Sequence, residues 1–199
     1  MSVGELLPCE GLQFCDWRQE ANRTRRFGRS SRSVVTQTGP GYWVCRVKTG
    51  RLNLQQARRW SGFLTRREGQ DVSFTAWRSW RAKPKGTMSV PDGNIGIVAD
   101  IEQGSVNLTG VGNYLANEGD MISYRTEKGG FYCGEVVEGA ESINDQITLK
   151  LWPRPQIPNP TPEVLRNKAL AEFTLINPPP FHEDYSNRSL VFEARQLYR

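Results

Sequence analysis

The chain has 199 residues, a mean hydropathy of −0.58 and 37% hydrophobic residues, enough for one large domain or two small ones with real cores. No apolar run approaches the ~18 residues a membrane span needs, Met1–Cys9 carries no basic-then-apolar leader, and one histidine, His182, leaves little for histidine chemistry. A membrane protein, a disulfide-framework toxin and a histidine-centred enzyme are all disfavoured.

The net charge of +5 hides an asymmetry. Residues 1–86 hold 17 Lys/Arg against 6 Asp/Glu, a net of +11, and residues 87–199 hold 9 against 15, a net of −6. A basic half of this kind faces nucleic acid or the acidic half of another copy.

In chain order, Leu12-Gln13-Phe14 reads as a short strand. The stretch Arg18–Arg32 follows, with six arginines, few apolar residues, and Gly28, Ser30, Ser31 and Ser33. It cannot bury itself, so it reads as an exposed loop. Ser33–Thr38 is a strand ended by Gly39-Pro40-Gly41, and Tyr42–Lys48 alternates with Trp43, Cys45 and Val47 on one face. One helix comes next: Asn53 caps it, Gln56 completes a capping box, Leu54, Ala57, Trp60 or Ser61, and Leu64 form its apolar stripe, and Gly69 lies past its end. Val72, Phe74 and Ala76 then alternate as a strand.

Lys83–Asn94 has linker composition. Beyond it, Ile95–Ile101, Ser105–Thr109, Met121–Arg125, Phe131–Val137 and Gln146–Leu151 are five short strands separated by turns, the pattern of a small barrel or sandwich. Five prolines within Pro153–Pro162 make a stiff connection. Glu163–Ala171 reads as a short helix, Phe173–Ile176 as extended, and Leu190–Leu197 as a final strand, with Pro178-Pro179-Pro180 between.

Catalytic signatures fail where they are testable. His182 sits in a proline-rich loop with no G-x-S-x-G elbow. Gly110-x-Gly112-x-x-Leu115 misses the dinucleotide pattern at its last position, and no G-x-x-x-x-G-K-[ST] loop is present. Asp100 with Glu102, or Glu118 with Asp120, would suit an acid/base pair, but Asn117-Glu118-Gly119-Asp120 reads better as a turn. Cys9, Cys15, Cys45 and Cys133 show no C-x-x-C pair. No catalytic residue, cofactor or metal is expected, and the thiols are read as free in a reducing cytosol. Basic residues interleaved with Trp17, Trp43, Trp60, Trp77 and Trp80 suit single-stranded nucleic acid. The other reading puts Trp43 and Trp60 in a core, and Trp77 and Trp80 at an interface.

Ser31-Arg32-Ser33-Val34-Val35, Tyr42-Trp43-Val44-Cys45, the helix through Ala57, Trp60 and Phe63-Leu64, and then Gly69 and Phe74 form a pattern that resembles bacteriophage distal tail proteins. Leu115 followed by Gly119-Asp120-Met121-Ile122-Ser123-Tyr124 is similar to that family's Gly-Asp turn into a strand. Ile147–Pro155 is similar to its closing strand and proline exit. The arginine-rich stretch departs from the family pattern. The resemblance implies a mainly β protein with one helix, its ring-forming domain split into residues 1–87 and 170–199 around an inserted OB-like or galectin-like barrel at 88–169. It implies a structural protein of the virion tail tip, made in the host bacterial cytoplasm. Its copies would form a ring, a hexamer in this family, between the tail tube protein and the hub, baseplate or tip proteins, with no membrane partner. Arg23, Arg25, Arg26, Arg29, Arg32, Trp77 and Trp80 are the expected subunit-interface residues. A basic, aromatic-rich nucleic-acid-binding protein is the alternative.

Overall fold

A computed structural model describes residues 5–27, 33–37, 39, 41–66, 73–79, 83–161, 163–177 and 188–197, with 23–27 and 33–37 described by their backbone. The first part of the chain runs β1 (Glu5–Leu6), β2 (Leu12–Glu20), β3 (Arg23–Phe27), β4 (Ser33–Gln37), β5 (Tyr42–Thr49), α1 (Leu54–Thr65) and β6 (Phe74–Trp77). The middle runs β7 (Thr87–Met88), β8 (Gly93–Asn94), β9 (Gly96–Asp100), β10 (Ser105–Thr109), β11 (Tyr114–Ala116), β12 (Met121–Arg125), β13 (Phe131–Val136), β14 (Ala140–Glu141) and β15 (Gln146–Trp152). The chain closes with β16 (Glu163–Val164), β17 (Leu170–Asn177) and β18 (Val191–Gln196). The fold is mainly β, with a single α-helix among the described residues.

Six strands form the first sheet in the order β1-β6-β17-β18-β5-β2. All neighbours are antiparallel except β1 and β6. The last strand, β18, pairs with β17 and β5, so the sheet is built from both ends of the chain. Helix α1 closes one side. Its capping box is present: the Asn53 side chain accepts from the Gln56 N–H at 2.9 Å, and the Gln56 side chain accepts from the Asn53 N–H at 3.0 Å. Its buried stripe is Ala57, Trp60, Phe63 and Leu64, and Leu54, expected in that stripe, is exposed in the first turn. Trp60 and Phe63 meet Phe192 and Phe74 of the sheet edge-on, with ring centroids 6.1 and 5.5 Å apart. Gly69 lies outside the described residues.

The five strands expected between residues 95 and 151 pair as a second sheet in the order β12-β13-β15-β10-β9. A three-stranded sheet, β14-β11-β7, and a pair, β16-β8, complete this region. Strands β12 and β13 are buried on both faces. Met121 and Cys133 belong to the core under the first sheet, whereas Ile122, Tyr124, Tyr132 and Val136 belong to a second core with Val106, Leu108 and Leu149. This two-sided burial fits the adjacent apolar residues Met121-Ile122 and Phe131-Tyr132-Cys133.

Two expectations are corrected. Glu163–Ala171 is not a helix: Glu163–Val164 pairs antiparallel with Gly93–Asn94, and β17 begins at Leu170. Buried Val164 and Arg166 draw the segment across the second region, and Lys168 has a left-handed backbone, φ 51°. Nor is Arg18–Arg32 a loop throughout. Strand β2 runs on to Glu20, and Arg23–Phe27 pairs with Ser33–Gln37 as a hairpin. A hairpin edge needs pairing and β-branched residues, here Thr24, Val34, Val35 and Thr36, but no core of its own.

Candidate functional site

The arginine-rich arm grows from the end of β2. There Cys15 and Trp17 point inward while Asp16 and Arg18 face out, so the alternation delivers charge to the outer surface. Arg18 donates to Glu20 at 3.0 Å and to Glu193 of β18 at 3.2 Å. The Tyr42 hydroxyl donates to Glu20 at 3.0 Å, and the Arg195 guanidinium stands 5.6 Å over the Tyr42 ring. Desolvation, and then the adjoining Glu20 carboxylate, push the Tyr42 phenol up. The root of the arm is therefore a small exposed lattice of alternating charge, screened by solvent and adding little stability by itself.

Below the lattice the arm is fixed by close packing. A Cβ at Gly41 would run into the Trp152 ring, so only glycine lets the returning strand pass there. Trp152 in turn meets Trp43 edge-on, with centroids 5.0 Å apart at 84°. Beyond this root, Arg23 pairs with Gln37, Arg25 with Val35, and Arg26 with Val34. The hairpin is a two-stranded sheet separate from the larger ones. Arg29, Arg32 and Trp80 lie outside the described residues, as do Ser31 and His182.

Trp77 stands at the end of β6, half-buried, with the Lys168 ammonium 5.1 Å over its ring. Lys168 thus occupies a cation position on this ring. Sequence reasoning missed Lys168, because the two residues meet only through the pairing of Leu170 with Trp77. Trp17, Trp43 and Trp60 are fully buried, and the last two donate their indole N–H groups to Cys133 and Glu10 carbonyls. They offer no face on which a base could stack.

The remaining candidates resolve into structure. The Asp120 carboxylate accepts the N–H groups of Lys85 at 2.7 Å, Gly86 at 2.9 Å and Asn117 at 3.0 Å, pinning the linker to the turn. Glu118 beside it is exposed. Asp100 accepts from the Gln103 N–H at 3.0 Å within its own turn. Among the described residues, no three His, Cys, Asp or Glu side chains gather where a metal could sit. All four cysteines are free, Cys9 exposed and the other three buried. A groove of about 750 Å³ runs between the Glu5–Glu10 segment and α1. Ion pairs of Arg59 with Glu10 and Arg66 with Glu5 close its rim.

No known protein-family model matches the chain, and no curated protein matches it.

Proposed function

We propose that this chain is a structural protein of a phage tail tip or baseplate, of the distal tail type. Copies assemble into a ring, most simply a hexamer, that joins the tail tube to the distal tip. The observation that carries the reading is the arginine hairpin. It leaves the first sheet on a packed root, forms a two-stranded sheet of its own among the described residues, and has few apolar residues of its own. Such an arm meets water or a neighbour, and in a cyclic ring each copy offers one surface to a different surface of the next.

Two further features support this reading. The net charge of −6 over residues 87–199 supplies carboxylates, with which the planar arginine fork pairs bidentately. The first sheet, drawn from residues 5–77 and 170–196, suits a ring-forming domain split into residues 1–87 and 170–199. The strands between suit an inserted barrel at 88–169. Tail tube, hub, baseplate and tip proteins are then the partners, the virion tail tip is the location, and no catalytic step is involved.

The same arginines would also suit a nucleic-acid-binding protein, and one experiment separates the two. Native mass measurement of the purified chain across a salt series should give a closed multiple of the 22.6 kDa protomer that survives high salt. A protomer that stays single at every concentration, yet binds single-stranded DNA or RNA with steep loss as salt rises, would give the reading to nucleic acid.

A further inference from the structure

Cys15 and Cys45 place their sulfurs 3.2 Å apart in the core under the first sheet. They are diagonal neighbours across two antiparallel strands: Cys15 stands opposite Val47, and Cys45 opposite Trp17. Both are shielded from solvent, at 1% and 0% exposure. A disulfide is about 2.05 Å long, so about 1.2 Å of sulfur movement separates this contact from a bond. Cys9, by contrast, is exposed with its thiol toward the Leu7 carbonyl, and Cys133 lies against Trp43 on the other sheet.

We propose that Cys15 and Cys45 are a modification site: a reversible disulfide that staples β2 to β5 when the surrounding thiol pool becomes oxidising. This goes beyond the assembly reading and does not depend on it. Strand β2 is the last of its sheet. On its outer side, the Ser79 hydroxyl bridges the Cys15 N–H and C=O, each at 3.0 Å. Outermost strands open at a fraction of the cost of global unfolding, which gives reagents intermittent access to a buried thiol. Burial and the adjoining Cys15 push the Cys45 thiol well up, so that thiol stays protonated and inert until the strand opens.

The chemistry balances with a low-molecular-weight disulfide as oxidant. One protein thiol loses its proton, attacks a sulfur of that disulfide and expels one small thiolate, leaving a mixed disulfide. When the strand recloses, the second protein thiolate attacks the protein-side sulfur and expels the other small thiolate. Two S–H bonds are lost and one S–S bond forms, while the small disulfide is reduced to two thiols. The linked residues are 30 apart, and the whole β3–β4 hairpin lies between them. The staple thus clamps the stem of the arginine arm without touching the arm.

The test uses the full chain carrying Cys9→Ser, which removes the exposed thiol that would join copies. It is equilibrated in glutathione buffers from fully reduced to fully oxidised, then mapped as unreduced peptides and melted. The oxidised sample should yield the Cys15–Cys45 peptide pair, leave Cys133 free for alkylation once unfolded, and melt roughly 5–10 °C higher, reversibly with reductant. Adding Cys15→Ala should abolish both the peptide and the shift, and Cys45→Ala serves if that variant does not fold. The proposal fails if no such peptide forms even in urea below the unfolding midpoint. It fails equally if Cys133 is the linked residue, or if the bond forms and the melting point does not rise.

Discussion

Trp43 of β5 donates its indole N–H to the carbonyl of Cys133 on β13, at 3.1 Å, across the seam where the two large sheets meet. The bond is buried, and Trp152 braces the same ring edge-on. Trp43→Phe would leave a carbonyl without its donor and a gap beside Trp152. We expect a loss of about 2–4 kcal/mol in urea unfolding. A loss under about 1 kcal/mol would mean that the seam contributes little.

Asp92 and Arg166 form the most enclosed ion pair among the described residues, with side chains 15% and 7% exposed. One carboxylate accepts the Arg166 Nε at 2.9 Å and the N–H groups of Arg166 and Asn167 at 3.0 and 2.8 Å. The guanidinium also lies 5.2 Å over the Tyr114 ring. Asp92→Ala strands a buried cation and should cost about 3–5 kcal/mol. Replacing both residues with apolar ones of similar volume should cost less than the single change, and a double-variant stability below that of Asp92→Ala would contradict this account.

The helix cap gives a smaller, local test. Asn53→Ala removes the acceptor for the Gln56 N–H and should lower stability by about 1 kcal/mol. Asn53→Asp, which keeps an acceptor, should be close to neutral; equal losses in both variants would assign Asn53 another role.

Alkaline pH should destabilise the fold through its buried thiols and phenols. Burial pushes the Tyr114 phenol up to about 12 from 10.0, and pushes Tyr124, Cys45 and Cys133 up as well. Each group holds its proton more tightly folded than unfolded. Its contribution is complete below the ordinary values of 9.0 for a thiol and 10.0 for a phenol, and is lost as pH climbs toward the folded value. Each group adds a slope of about 1.4 kcal/mol per pH unit. The urea midpoint should therefore fall from about pH 9 upward, and less steeply in Cys133→Ala. A midpoint that holds constant to pH 11 would refute it.

The arm prediction belongs to the assembly reading. Arg23, Arg25 and Arg26 lie on β3 of a hairpin outside both large sheets. Changing all three to alanine should leave the melting temperature within a few degrees, since they stand on a two-stranded sheet apart from both large sheets. Ring formation or tail incorporation should weaken. Normal assembly with lost, salt-sensitive binding to DNA or RNA would instead assign the arm to nucleic acid.

What the chain announces by itself is what depends on near neighbours. The period-two burial of Gln146–Trp152 follows directly from alternating residues, and the Asn53–Gln56 capping box from a three-residue spacing. The five strands of the second sheet were legible for the same reason, being short β-rich runs between turns.

Tertiary structure decided everything that rests on distant partners. Glu163–Val164 is a strand because Gly93–Asn94 lies beside it, against a local pattern that reads as helix. The hairpin within Arg18–Arg32 depends on pairing with residues 33–37, which hydrophobic periodicity cannot report for so polar a segment. Trp77 meets Lys168, Asp92 meets Arg166, and Cys15 meets Cys45 only after strand order and register are set. Local propensity acts over a few residues, whereas these last three contacts span from 30 to 91 positions of chain, and only the collapse of both cores brings them within reach.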